Sequence, residues 1–129
     1  MGRLASLEDF LGNFRGFLMY RQKLKVVLKR AIAARAALPA FNMPSLDFCW
    51  LTAKISASTG LPLIIQTSSR VARHYGPSVV AGIIKSLNQS GGVRVYLHLD
   101  HCEDLELIKS SIDAGYDSVM VDGSSLPIE

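Results

Sequence analysis

Cysteine is nearly absent from this 129-residue chain: Cys49 and Cys102 are its only two. That excludes a disulfide scaffold, and with no secretory signal ahead of them it leads us to expect a reducing, cytoplasmic setting. Long hydrophobic runs are missing as well. Apolar stretches such as 61–65 extend five or six residues, far short of the ~20 that cross a bilayer, so no membrane partner is expected. Proline is sparse at five residues, and 49% hydrophobic against 19% charged content describes a folded chain rather than a disordered one. The length suits one small domain with a sizeable core. Positive charge is scarce outside the N-terminal part: residues 1–35 carry eight Lys/Arg against two acids, and residues 36–129 carry six against nine. A mildly acidic body under a basic head argues against a nucleic-acid partner.

What is present is a change of hydrophobic period along the chain. Leu4, Leu7, Leu11, Phe14 and Leu18 recur at helical spacing, with Ser6 and Asp9 placed to cap, although Gly12 and Gly16 weaken that helix. A basic amphipathic head of this kind suits a transit peptide, a membrane-surface helix or an extra helix docked on the body, and Glu8 and Asp9 count against the first. Residues 1–21 are therefore read as an N-terminal helical extension and 22–129 as the body. A second helical pattern, 23–37, contains Val27, Leu28, Ala31 and Ile32. Short apolar runs then appear at 38–41, 61–65, 93–99 and 118–121, with helical stretches between them. Ser45 is placed to cap a helix with Leu46, Cys49, Trp50, Ala53 and Ala57 inward, closed by Gly60. Pro77 suits the first turn of the next, with Val80, Ile83, Ile84 and Leu87 inward. Glu103, Asp104 and Glu106 crowd the start of the last, where negative charge meets the positive end of the helix dipole; Leu105, Ile108 and Ile112 are its expected inner face. Strands that alternate with helices of this length require right-handed crossovers and a parallel sheet. The fold class is α/β, either a doubly wound sheet or part of a (β/α)8 barrel, and the absence of a Gly-rich dinucleotide fingerprint after the first strand disfavours the former.

Polar residues that a strand would not otherwise want gather where the strands end: Asn42, then Gln66 and Ser68, then Asp100 and His101, then Asp122. In a parallel α/β fold those ends share one face, the face on which active sites are built. Each residue alone has a plainer use. Asn42 can close a turn, Ser68 can cap a helix, and Asp122 ahead of Gly123 suits a tight turn. The stretch His98-Leu99-Asp100-His101 is the sharpest. Side chains alternate along a strand, which puts His98 and Asp100 on one face and His101 where the chain leaves it. A carboxylate beside an imidazole serves proton transfer, and neutral imidazole is a common zinc ligand; the plainer use is a hydrogen-bonded core histidine and a helix-capping aspartate. His74, beside Arg70 and Arg73, reads as exposed, and Cys102 as buried filler.

Taken together, Ala40-Phe41-Asn42, the run from Leu63 to Ser68, the stretch from His98 to His101, and the run from Asp113 to Ser124 resemble the class II, zinc-dependent ketose-bisphosphate aldolases from about Lys23 onward. The resemblance implies the first half of a (β/α)8 barrel, about four parallel strands with their helices plus N-terminal helices. It implies a zinc-dependent, reversible aldol cleavage of fructose or tagatose 1,6-bisphosphate to dihydroxyacetone phosphate and glyceraldehyde 3-phosphate. By matching motif, Asp100 is similar to the family's proton donor, His101 to a ligand of the catalytic zinc, and Asp122 to a ligand at a second divalent-metal position. Ser68 is similar to a substrate-contacting hydroxyl, and Asn42 is placed with it as a substrate-binding residue. A phosphorylated sugar is the implied partner, and a homo-oligomer the implied state of a full-length protein.

The departures are as specific as the matches. Where the family carries a small Gly-Ala pair just past the serine, this chain has Arg70 and Val71, and Pro44 restricts the loop after the first strand. An ordinary barrel has about 250 residues, and the other zinc histidines and Gly-rich phosphate loops have no counterpart in these 129. Two functions therefore compete: part of an aldolase whose complete chain performs the reaction, and a non-catalytic remnant or interaction module.

Overall fold

The computed structural model describes residues 23–127. The expected helix over the leucines at 4–18 and its Ser6/Asp9 cap lie outside the described residues, as do Ile128 and Glu129.

The described chain runs α1 (Leu24–Ala33), β1 (Ala40–Asn42), α2 (Asp47–Thr59), β2 (Leu63–Ser68), α3 (Ser69–Tyr75), α4 (Pro77–Asn88), β3 (Val95–Cys102), α5 (Leu105–Ala114) and β4 (Ser118–Val121). The strands form one sheet in the order β1-β2-β3-β4, and each neighbouring pair is parallel. Every strand-to-strand connection therefore crosses over through helix, as the alternating periods require. Register is set by side chains that must be dry on one face: Leu63 lies opposite Val95 and Ile65 opposite Leu97. Ile65, Val95, Leu97 and Leu99 are buried against Cys49 and Ala53 of α2, Val80 and Ile84 of α4, and Leu107 and Ile108 of α5. Among the described residues the opposite face is closed at one end, where Leu24, Val27 and Ala31 of α1 pack on Tyr96.

Strand and helix limits shift from their expected places. The first three strands begin later than their apolar runs and continue into the polar residues, so Asn42, Gln66, Ser68, Asp100 and His101 are strand residues rather than loop residues. The ladder carries on because the backbone, not the side chain, makes it. The helix at Ser69–Tyr75 was not expected from the periodicity. The expected α1 stripe is rotated too: Leu24 joins Val27 and Ala31 inside, while Leu28 and Ile32 are exposed.

Two inner faces also need correction. In α2 the buried stripe is Cys49, Thr52, Ala53 and Ser56, whereas Trp50 is 57% exposed and Ala57 is outside. Thr52 donates its hydroxyl to the Phe48 carbonyl at 2.8 Å. Ser56 donates to Leu61 O and accepts from Arg94 N–H, each at 2.8 Å. Buried hydroxyls so satisfied cost little, and Trp50 lies under the Lys54 ammonium instead. Ser45 does not cap α2, whose first residues follow Leu46 without a side-chain bond. In α5 the buried residues are Leu107, Ile108 and Ser111, and Leu105 and Ile112 are exposed. Helix ends otherwise follow the sequence: Pro77 opens α4, Asp104 caps α5 by accepting from Glu106 N–H and Leu107 N–H, and left-handed Gly60 and Gly115 close α2 and α5.

Leu99 is fully buried in this core. Leu99→Ala is expected to cost about 2–5 kcal/mol in urea unfolding, and Trp50→Ala less than about 1 kcal/mol. Equal losses from the two would contradict the observed face of α2.

Candidate active site

The C-terminal ends of β2, β3 and β4 meet at one place because the pairing is parallel and in register: Ser68 is opposite Asp100, and His98 is opposite both Gln66 and Ser118. Past Leu99 the register between β3 and β4 shifts before Cys102 meets Val121. Asp100 and His101 lie inside that irregularity, and His101 has φ of 47°, a left-handed conformation that non-glycine residues seldom adopt and that clusters at functional sites. Three bonds hold the kink. Ser69 donates its hydroxyl to the His101 carbonyl at 2.9 Å, the Asp122 N–H donates to Cys102 O at 2.9 Å, and His101 Nδ1 meets Asp122 Oδ2 at 2.9 Å. The imidazole that results is 62% exposed, with Nε2 3.9 Å from Asp100 Oδ1.

Asp122 is fixed in turn by the Ser124 N–H, which donates to its Oδ1 at 3.0 Å. Bonds from Ser124, then the imidazole of His101, hold the Asp122 carboxyl down at about 2. The same bond, with Asp100 close by, pushes His101 above its ordinary value. His98 behaves oppositely. Its ring is half-buried, Nδ1 lies 2.7 Å from Ser118 Oγ, and Nε2 is 3.9 Å from Asp100 Oδ1. Burial outweighs its partners and lowers its pKa, so His98 is neutral at pH 7.

Of the residues singled out in the sequence, Asp100, His101 and Asp122 come together here, and Ser68 lies beside Asp100 on β2. The Ser68 hydroxyl accepts from Val71 N–H at 3.3 Å, so the helix-capping use is real; its own proton remains free to donate. Asn42, on β1 opposite Gln66, is exposed and makes no contact with the histidines. His74 is exposed and Cys102 buried, both as read. Ser118 was missed, although a hydroxyl opening a strand in parallel register with His98 was a usable signal. Ser69 was missed too, and nothing in the sequence alone marks it. A cleft of about 400 Å³ opens beside His101, bordered by Ser69, Arg73, Glu103 and Asp104; Arg73 is occupied there by Asp104 at 2.8 Å. A larger cleft of about 590 Å³ between α4 and α5 lies at the opposite ends of the strands and contains no histidine.

His101 offers a metal one open nitrogen, Nε2, while its Nδ1 rests on a carboxylate, the arrangement that orients and strengthens an imidazole ligand. Among the described residues no three His, Cys, Asp or Glu side chains are grouped so as to hold a metal ion. The fit is that of one ligand to a site completed by others.

A sequence model of the class-II fructose-bisphosphate aldolase family matches residues 22–129, and the chain belongs to that family. It is 34% identical over 109 residues to the 6-phospho-5-dehydro-2-deoxy-D-gluconate aldolase of Halalkalibacterium halodurans, covering 82% of this chain and 38% of that protein. It is 30% identical over 110 residues to the fructose-bisphosphate aldolase of Treponema pallidum, covering 81% of this chain and 33% of that protein. With the fructose-bisphosphate aldolase of Geobacillus stearothermophilus it shares 32% over 111 residues, 82% of this chain and 38% of the relative. A solved structure from Coccidioides immitis, described as a candidate fructose-1,6-bisphosphate aldolase, superposes with a TM-score of 0.71 at 27% identity, over 81% of this chain and 37% of that one. The YdjI aldolase of Escherichia coli K12 superposes with a TM-score of 0.61 over 70% of this chain and 35% of that one, and at 22% identity it bears on the fold alone. The chain spans between a third and two-fifths of the length of these proteins. Its strands and helices are a partial (β/α)8 barrel, and the face that carries Tyr96, His98 and Asp100 is the barrel interior.

The two anchored histidines give opposite pH dependences. His101, raised in the fold, contributes stability that is present below about 6.5 and is lost as pH rises through its folded value. His98, lowered in the fold, costs stability as pH falls below the same ordinary value, because the unfolded chain takes up a proton first. Asp122 contributes stability that is present above about 3.9 and is lost as pH falls toward about 2. In Asp122→Asn the His101 ring, followed by NMR, should titrate close to its ordinary value and the acid limb of the stability curve should flatten. An unchanged His101 titration would remove Asp122 as its partner.

Proposed function

We propose that this chain supplies the proton-transfer group and one zinc ligand of a class II aldolase, and that a complete barrel containing it cleaves a ketose 1,6-bisphosphate, of fructose or tagatose, to dihydroxyacetone phosphate and glyceraldehyde 3-phosphate. The observation that carries this reading is the pair Asp100 and His101 at the C-terminal end of β3, the ring exposed at Nε2 and tied at Nδ1 to Asp122. The names of the T. pallidum and G. stearothermophilus relatives support the bisphosphate. That of the H. halodurans relative supports the wider class of phosphorylated sugar derivatives.

In the cleavage direction the Asp100 carboxylate accepts the proton of the aldehyde-side hydroxyl as the neighbouring carbon–carbon bond breaks and its electron pair passes to the ketone side. In condensation Asp100 returns that proton. A carboxylate suits the role only if it stands beside the metal without being consumed as a ligand, and adjacent positions on one strand end meet that requirement. His101 would hold the zinc through Nε2. Zinc, when bound, supplies a Lewis acid for the negative charge that develops on oxygen, without a lysine Schiff base. Asp122 is engaged by His101 at Oδ2, by the Ser124 N–H at Oδ1 and by the Ser124 hydroxyl. An ionised carboxylate has about four lone-pair sites, so service to a second divalent metal is compatible with anchoring His101. Ser68 is assigned to donate its free proton to substrate, and Asn42 to meet substrate from β1. Buried, unpaired Cys49 and Cys102 support a cytoplasmic setting, and the homo-oligomeric state is assigned to the complete protein. Among the described residues no helix is long and apolar enough to cross a membrane.

A catalytic zinc takes about three protein ligands and keeps one position open, and the described residues hold no such group. The 129-residue chain with added zinc is therefore expected to give no steady cleavage of either bisphosphate; chelator-sensitive turnover would show that the half barrel contains more than one ligand. In a barrel completed by the remaining strands, Asp100→Ala should lower kcat by about 10²–10⁴-fold while zinc content is retained. Completed barrels that bind zinc yet never cleave either sugar would favour the non-catalytic role.

A further inference from the structure

Two imidazoles of β3 are held in the same way. His98 and His101 are each anchored through Nδ1 from the β4 side, by Ser118 Oγ at 2.7 Å and by Asp122 Oδ2 at 2.9 Å. Each turns Nε2 toward a single oxygen, Asp100 Oδ1, and each stands 3.9 Å from it. Only one of the two rings is open. His101 is exposed, whereas His98 is enclosed between its strand neighbours, opposite Gln66 on β2 and Ser118 on β4. Its backbone is braced as well: Thr67, tied at 3.3 Å to the Tyr116 hydroxyl, donates to the His98 carbonyl at 3.3 Å.

We infer that His98 is a positioning residue for Asp100, holding the Asp100 carboxylate in one rotamer so that Oδ1 faces the two rings and Oδ2 is left to the substrate. The inference rests on the reading of Asp100 as the proton-shuttling group. A serine hydroxyl can donate or accept, and a carboxylate can only accept. Ser118 meets the His98 ring through its backbone as well as through its hydroxyl; with the hydroxyl donating to Nδ1, the single proton of neutral His98 sits on Nε2 and its N–H dipole points at Asp100. At 3.9 Å the contact is beyond hydrogen-bond length, so it acts through the field of that dipole in a partly dry environment, where such fields are stronger than in water. Catalytic contacts that are long in a ligand-free protein often tighten once ligand is bound. Asp100 Oδ2 makes no hydrogen bond among the described residues.

The competing use of the same atoms is ligation, with both Nε2 atoms and Oδ1 around one ion. Against it, these side chains do not form a metal-holding group as they stand. The experiment separates the two on the 129-residue chain by imidazole ¹⁵N NMR at neutral pH, together with the side-chain couplings of Asp100. The parent should show His98 with its proton on Nε2, and Ser118→Ala should shift it toward a mixture of tautomers. Asp100 should occupy one χ1 rotamer in the parent and in His98→Gln, whose amide N–H reaches a similar place. It should average between rotamers in His98→Ala. Zinc ion in excess should move the His101 Nε2 resonance and leave the His98 Nε2 proton in place. A proton on Nδ1 of His98, an Asp100 rotamer indifferent to His98→Ala, or displacement of the His98 Nε2 proton by zinc would each overturn the inference. Should His98→Ala fail to fold, the tautomer and zinc measurements still decide. None of these readouts needs turnover, so failure of the aldolase reading leaves them intact and is seen separately in the cleavage assay.

Discussion

The site depends on one irregularity in one strand. Up to Leu99, β3 pairs regularly with β4, and the side chains of Val95, Leu97 and Leu99 enter the helix-covered core. A regular continuation would place residue 101 on that same dry face, where an imidazole has no partner. The register shift, with left-handed backbone at His101, turns the ring out of the core while Cys102 returns to it, fully buried. Conformational strain of this sort costs of order 1–3 kcal/mol, and bonds from Ser69 and Asp122 offset it.

Parallel pairing does the rest of the assembly. Ser68 and Asp100 are neighbours because β2 and β3 run the same way in register, and Ser118 reaches His98 for the same reason on the other side. Residues twenty or more positions apart along the chain thus meet without any loop having to be shaped around them. The two rings diverge for different reasons: burial along the strand lowers the pKa of His98, whereas the bond to Asp122 and the nearby Asp100 raise that of His101 at the rim.

The alternation of strand and helix, the parallel sheet and the gathering of Asp100, His101 and Asp122 were legible in the sequence, because they follow from period and from polar residues at strand ends. The faces of α2 and α5 were not. Trp50, Leu105 and Ile112 share helical spacing with truly buried residues, and apolarity ranks them above Thr52, Ser56 and Ser111. What reverses the order in α2 is hydrogen bonding to carbonyls of the helix itself and of the following loop, which no hydropathy pattern encodes. The strand limits were misjudged for a related reason, since polar side chains at the barrel mouth do not interrupt a backbone ladder. The kink at His101 was invisible, because it arises from a mismatch between two strands rather than from either one.

One side chain elsewhere acts as if it were main chain. Asn88, at the end of α4, donates its amide to Val95 O at 2.8 Å and accepts from Val95 N–H at 2.9 Å, so the first residue of β3 is gripped as a neighbouring strand would grip it. The start of β3 is thereby fixed from α4 and from Arg94, whose N–H donates to Ser56 Oγ and whose carbonyl accepts from Leu63 N–H, rather than from residues 89–92 that lead into it. That connection is free to drift in length over evolutionary time, by insertion or deletion near Gly91 and Gly92, without carrying an error forward to the histidines at the far end of the strand.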